Sequence, residues 1–73
     1  MTWTAVESSA LQAAGYAEGQ ALLYLLFRSG EVYGYFDVAQ WQYQEFWAAD
    51  SKGRYFGGNI RGRFRYERMR RPR

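Results

Sequence analysis

The chain has 73 residues, ten of them Lys or Arg and seven Asp or Glu, with no Cys and no His, for a formal net charge of +3. A chain this short is one domain and hides only about 60% of its unfolded surface. The absence of Cys and His excludes disulfides and zinc sites built on those donors as a supplement to the core. Aromatic packing or self-association is left to supply it: three Trp, seven Tyr and five Phe are present, and each ring can bury about 150–250 Å².

The charge is divided along the chain. From Lys52 onward nine basic residues face one acid, Glu67, whereas Met1 to Ser51 holds only Arg28 against six acids. An asymmetry of this kind points to an anionic partner more than the same charges evenly spread would. The longest uninterrupted apolar run, Ala21 to Phe27, is far short of the roughly 20 residues that span a bilayer, so no membrane helix is expected. Met1 to Ser9 carries Glu7 and no Lys or Arg; it lacks the pattern of a secretory signal, and a cytoplasmic location is the expectation.

In chain order, Ser8-Ser9 reads as a turn whose hydroxyls satisfy local backbone amides. Leu11 to Tyr16 and Ala21 to Phe27 flank Ala17-Glu18-Gly19-Gln20, a short Gly-containing link that closes a hairpin. Arg28-Ser29-Gly30 makes a second tight turn into Glu31 to Phe36. The pattern predicts a three-stranded antiparallel meander. Along its middle strand Leu23, Leu25 and Phe27 fall on one face, and Leu22, Tyr24 and Leu26 on the other. Both faces are apolar, which is unusual in a lone antiparallel sheet. Helices cover one face; the Tyr24 and Leu26 face meets the N-terminal segment with Trp3, a second copy of the chain, or a ligand.

Asp37, with Gln40 three residues on, reads as the start of a helix running to about Asp50. Ala39, Tyr43, Phe46 and Trp47 share its inner side, and Trp41 lies off that stripe as a candidate interface residue. Ser51 caps a second, shorter helical turn through the amide of Gly53 or Arg54. Gly57-Gly58-Asn59 is expected to end that turn with positive φ. Arg61 to Tyr66 then alternates strictly. Extended, it sends Arg61, Arg63 and Arg65 to one side about 6.7 Å apart and Gly62, Phe64 and Tyr66 to the other, as a candidate edge strand. The core spans residues 6–66, and the basic tail 67–73 reads as disordered. The fold class is α+β.

Several fragments of the chain carry a resemblance. Val6-x-Ser8-Ser9-x-Leu11, Phe27-Arg28-Ser29-Gly30, Tyr33-x-Tyr35, Ser51-Lys52-Gly53-Arg54-Tyr55-Phe56 and Asn59-Ile60-Arg61-Gly62 occur in the order found in the KTSC domain, a small bacterial and phage module that the chain resembles over roughly residues 6–66. One departure is Val38-Ala39, where the family commonly reads Val-Pro. The family takes its name from the C-terminus of some lysyl-tRNA synthetases, which favours RNA as a partner, but it brings no established activity.

Catalysis is not expected. Without histidine a serine lacks its usual general base, Lys52 is the one lysine, and the acids are scattered over turns and solvent faces. No catalytic residue, metal or cofactor is assigned. The run from Ser51 to Phe64 instead concentrates glycines, aromatics and guanidinium groups. Lys52, Arg54, Arg61, Arg63 and Arg65 are the candidate phosphate ligands, and Tyr55 and Tyr66 the candidate base-stacking rings. Gly53, Gly57, Gly58 and Gly62 form a candidate backbone anion loop, but turn geometry around a tight helix end is the favoured reading, and they lack Walker or dinucleotide-binding spacing. The expected partner is RNA or another phosphate-bearing ligand. Two alternatives stand beside it: a homo-oligomer in which the same arginines and glycines become a closed pocket for a phosphorylated nucleotide and the sheet aromatics build the subunit interface, and a protein-interaction module acting through Trp41 and the sheet face of Tyr24 and Leu26.

Overall fold

A computed structural model describes residues 1–70. Five strands, β1 (Thr4–Ala5), β2 (Leu11–Ala17), β3 (Leu22–Phe27), β4 (Val32–Tyr35) and β5 (Tyr66–Met69), pair in sequence order. Every pairing is antiparallel. Helices α1 (Gln40–Ala48) and α2 (Lys52–Tyr55) lie between β4 and β5, and α2 runs on into a π-helical turn, Phe56–Ile60. The class is α+β as expected, but the meander has five strands where the hydropathy pattern predicts three.

The additional strands have separate origins. β1 is two exposed residues held to β2, too short to show a period. β5 begins where the Arg-x-Arg-x-Arg alternation ends, because residues 61–64 form a turn. Arg61 N donates to Phe56 O at 2.9 Å and Arg63 N to Ile60 O at 3.1 Å, and Gly62 takes φ 77°, a left-handed conformation that glycine adopts without penalty. The chain therefore curls before it can extend, and the row of three arginines on one strand face does not form. The segment expected to be disordered from residue 67 is ordered through Met69 on the edge of β4; residues 71–73 lie outside the described residues.

Two further local expectations are corrected. The first helix starts at Gln40, with Ala39 rather than Asp37 at its N-cap, and the Gln42 side chain accepts the Ala39 amide at 3.0 Å. Asp37 has φ 63°. Next to it, fully buried Val38 donates its N–H to Ala21 O and accepts the Tyr16 hydroxyl on its carbonyl. Val38 is thereby tied to the β2–β3 hairpin and is not free to enter a helix. In the second case, Gly57-Gly58-Asn59 prolongs the helical turn to Ile60 instead of ending it, and neither glycine has positive φ. The Ser51 cap is as expected, its hydroxyl accepting Arg54 N at 3.1 Å.

The core lies between one sheet face and the helices. Leu11, Leu23, Leu25, Val38, Phe46 and Ile60 are fully buried there, with Phe56 and Tyr35 beside them. The other face, bearing Leu22, Tyr24 and Leu26, has no helix over it. The Trp3 ring meets Tyr24 edge-on at 6.3 Å, in line with intramolecular cover. Met1 and Met69 lie over the two glycines of this face: a Cβ on Gly15 would come 2.6 Å from Met1 Sδ, and one on Gly34 would collide with Met69 Cε. No helix among the described residues is long and apolar enough to cross a membrane.

Candidate functional site

The helices cover the sheet unevenly. α1 packs over the β2 side, where Tyr43 stacks on Tyr16 at 4.7 Å, and the β4–β5 side is left as an open trough of about 450 Å³. Strand pairing builds its floor. Tyr33 and Tyr35 alternate onto the same face as Leu23 and Leu25 because each sits opposite one of those leucines. Tyr66 pairs with Tyr35 and so joins them. Phe27 at the end of β3 and Phe56 at the start of the π-helical turn complete the group.

These five rings form a closed circuit. Phe27 to Tyr33 is 5.6 Å, Tyr33 to Tyr66 5.7 Å, Tyr66 to Tyr35 5.5 Å, Tyr35 to Phe56 5.4 Å and Phe56 to Phe27 5.6 Å between centroids. Each spacing lies in the range of favourable aromatic pairs. Phe56 and Tyr35 are the buried floor, Phe27 and Tyr33 the half-buried walls, and Tyr66 an exposed lip, 55% accessible. Arg61 and Gly62 line the trough together with Ser29 and Glu31. The site thus combines an apolar aromatic surface with a few charged groups, the usual make-up of a ligand pocket of several hundred cubic ångströms.

Of the residues expected to bind phosphate or stack on bases, Arg61, Gly62 and Tyr66 converge here and the others do not. Lys52 Nζ donates to Ala49 O at 2.8 Å, and Arg63 Nε to Gly58 O at 3.1 Å. Arg65 lies 4.1 Å over the Phe36 ring and 3.9 Å from Glu67. Arg54 is exposed, with no side-chain partner among the described residues. Tyr55 donates its hydroxyl to Glu45 Oε1 at 2.7 Å and meets Phe46 edge-on at 6.3 Å, so its ring ties α2 to α1. Gly53 sits under Ser8, its would-be Cβ 3.1 Å from Ser8 Oγ, and Gly57 and Gly58 have open space around them. Ser8 Oγ accepts the amides of Ala10 and Leu11, the turn role read from the sequence. Trp41 is 60% exposed on α1, on another part of the molecule.

Phe27, Tyr33, Tyr35, Ser29 and Glu31 were not among the expected site residues. Their signal was available: Phe27 shares a strand face with Leu23 and Leu25, and Tyr33 and Tyr35 alternate on the next strand. What the sequence leaves open is that the helices stop short of them.

The tyrosine hydroxyls report the same packing. Burial first, then the neighbouring phenols Tyr66 and Tyr33, push Tyr35 up to about 12 from the ordinary 10.0, while Arg61 pulls it down. Burial, followed by the Glu45 hydrogen bond, pushes Tyr55 to about 12 as well. A raised folded-state value means that the unfolded chain loses these protons first. Folding stability from this source is therefore complete below pH 10 and is lost as pH rises toward 12. Ultraviolet titration of the seven tyrosines should show a late fraction that ionises together with unfolding measured by circular dichroism. Ionisation of all of them near the ordinary value, with the fold intact, would contradict this assignment.

Comparison with known proteins places the chain. The model of the KTSC domain matches residues 7–64. A protein of Tsukamurella paurometabola is 42% identical over 60 residues, covering 82% of this chain and 90% of that protein. A lysine–tRNA ligase of Nostoc sp. is 40% identical over 63 residues, covering 86% of this chain; the matched stretch is 11% of the ligase. Among solved structures, the crystal structure of a KTSC domain protein from Yersinia pestis superposes with a TM-score of 0.90 at 34% identity, covering 93% of this chain and 96% of that one.

Proposed function

The chain belongs to the KTSC domain family, and from that footing we propose that it is a non-catalytic nucleic-acid-binding module that takes single-stranded RNA through the aromatic trough. The observation that carries this reading is the closed circuit of five rings, with Tyr66 exposed, Phe27 and Tyr33 half-buried and Arg61 beside it. Unstacked bases find partners on aromatic faces, each contact contributing about 1–3 kcal/mol, and guanidinium groups neutralise the phosphates. The similarity to a lysine–tRNA ligase, a protein named for its action on tRNA, supports RNA as the polymer.

Lys52 and Arg63 bond to backbone carbonyls, and Arg65, though exposed, lies against Phe36 and Glu67, so the phosphate contact built into the trough is Arg61, with Arg54 and Arg70 as outlying charges. Electrostatics are then a minor part of the affinity and stacking the major part. Fluorescence anisotropy of a labelled single-stranded RNA, titrated with the protein at several salt concentrations, tests this. Saturable binding is expected, with a shallow log–log salt slope of about −1 to −2, since each phosphate contact on a single strand contributes about −0.7. Absence of saturation at low salt would overturn the reading.

A second reading, a binder of a free phosphorylated nucleotide, is favoured by one observation: the trough's volume of about 450 Å³ accommodates one nucleotide unit rather than a run of them. Competition of the labelled RNA by mononucleotides separates the two.

A further inference from the structure

The polar groups of the trough are not evenly distributed. Ser29 and Glu31 belong to the β3–β4 turn, whereas Arg61 and Gly62 belong to the turn that leads into β5. Glu31 precedes β4 and Tyr35 ends it, so the two backbones stand about 13 Å apart at 3.3 Å per residue. Arg61 opens the turn that leads into β5, whose first residue, Tyr66, pairs with Tyr35, which sets this end of the trough at the Tyr35 side. The trough therefore has the Glu31 carboxylate, ion-paired with Arg68, at one end, Arg61 at the other and aromatic rings between.

We propose that this trough selects a guanine nucleotide unit, its Watson–Crick edge on the Glu31 carboxylate, its base against Tyr66 and Tyr33, and its phosphate toward Arg61. The proposal rests on the RNA-binding reading above and adds which base is preferred. An ionised carboxylate only accepts hydrogen bonds. Guanine alone among the four RNA bases presents two adjacent donors, N1–H and N2–H, without an intervening acceptor. Adenine and cytosine offer an amino group beside a ring nitrogen whose lone pair would face the carboxylate, and uracil offers one N–H between two carbonyls. Glu31 and Arg68 offset each other's charge, so Arg61, which has no ion pair among the described residues, is left for the phosphate.

Glu31 is also held for this task. Arg68 Nη2 lies 3.3 Å from its Oε2 and Ser29 Oγ 3.5 Å from its Oε1, which orients the carboxylate while lone pairs on both oxygens stay available. Arg68 alternates onto the trough side of β5 because it pairs with Tyr33.

The experiment uses the whole chain and two single-stranded RNAs, a pyrimidine-rich strand carrying one G and the same strand with A there, together with free GMP and AMP. The G strand is expected to bind roughly tenfold or more tightly than the A strand, the discrimination typical of a two-bond contact. Glu31→Gln replaces one acceptor by a donor at constant shape. It should lower affinity for the G strand to that for the A strand, with the circular dichroism spectrum unchanged. Equal binding of both strands by the unaltered protein, or a G preference that survives in Glu31→Gln, overturns the guanine assignment and leaves the RNA reading standing. Failure to bind any strand or nucleotide overturns both. GMP binding as tight as that of the G strand identifies the free nucleotide as the source, and binding of the strand alone identifies the polymer; guanine selection holds in either case.

Discussion

Phe46→Ala is expected to destabilise the fold by about 3–5 kcal/mol, the usual cost of truncating a buried phenylalanine. Phe46 is fully buried on the inner side of α1 and is the largest such side chain. It meets Tyr43, Trp47 and Tyr55 at 6.5, 5.3 and 6.3 Å. Its loss would leave a cavity under the helix and remove the common partner of three aromatics. At roughly 0.05–0.15 kcal/mol per residue, a domain of 73 residues has only about 4–11 kcal/mol in all. Urea denaturation followed by circular dichroism should find the variant's midpoint lowered by that loss, and the variant largely unfolded without denaturant if the parent lies at the low end of the range. A loss below about 1 kcal/mol would mean that the core does not centre on this helix.

Tyr66→Ala is the corresponding experiment on the trough. Tyr66 is exposed and touches Tyr33 and Tyr35 from the edge strand, so its removal should leave the fold intact. It should nonetheless lower RNA affinity by about 1–3 kcal/mol, or roughly five- to 150-fold, the range for one base–aromatic stack. Tyr66→Phe should bind like the unaltered protein, because the ring rather than the hydroxyl makes the contact. Unchanged affinity in Tyr66→Ala would remove the trough from the binding surface.

The central meander was legible because period-2 alternation over Leu22 to Phe27 and the Gly-containing links at Gly19 and Gly30 are local signals. The Ser51 cap was equally local. Asp37 misled because the true helix start depends on Val38 being held by Ala21 and Tyr16, contacts 17 and 22 residues away. The Arg61 to Tyr66 alternation misled for a similar reason: it resembles a strand, but the π-helical turn ending at Ile60 bends the chain through Gly62 first. Within the site, Arg61, Gly62 and Tyr66 were found from their composition. The rest of the aromatic circuit was read only as strand or core, since its exposure is decided by where α1 and α2 end. Lys52 and Arg63 bond to carbonyls three and five residues back and Arg65 lies over Phe36, so of the expected phosphate ligands Arg61 is the one that lines the trough.

The measurement that tests the central claim most directly is chemical-shift mapping by nuclear magnetic resonance on isotope-labelled protein titrated with a short single-stranded RNA containing one guanine. The predicted result is a contiguous set of perturbed amides at Ser29 to Tyr35, Phe56, and Arg61 to Arg68. Perturbation centred instead on Trp41, or on the Tyr24 and Leu26 face, would contradict the trough as the RNA-binding site.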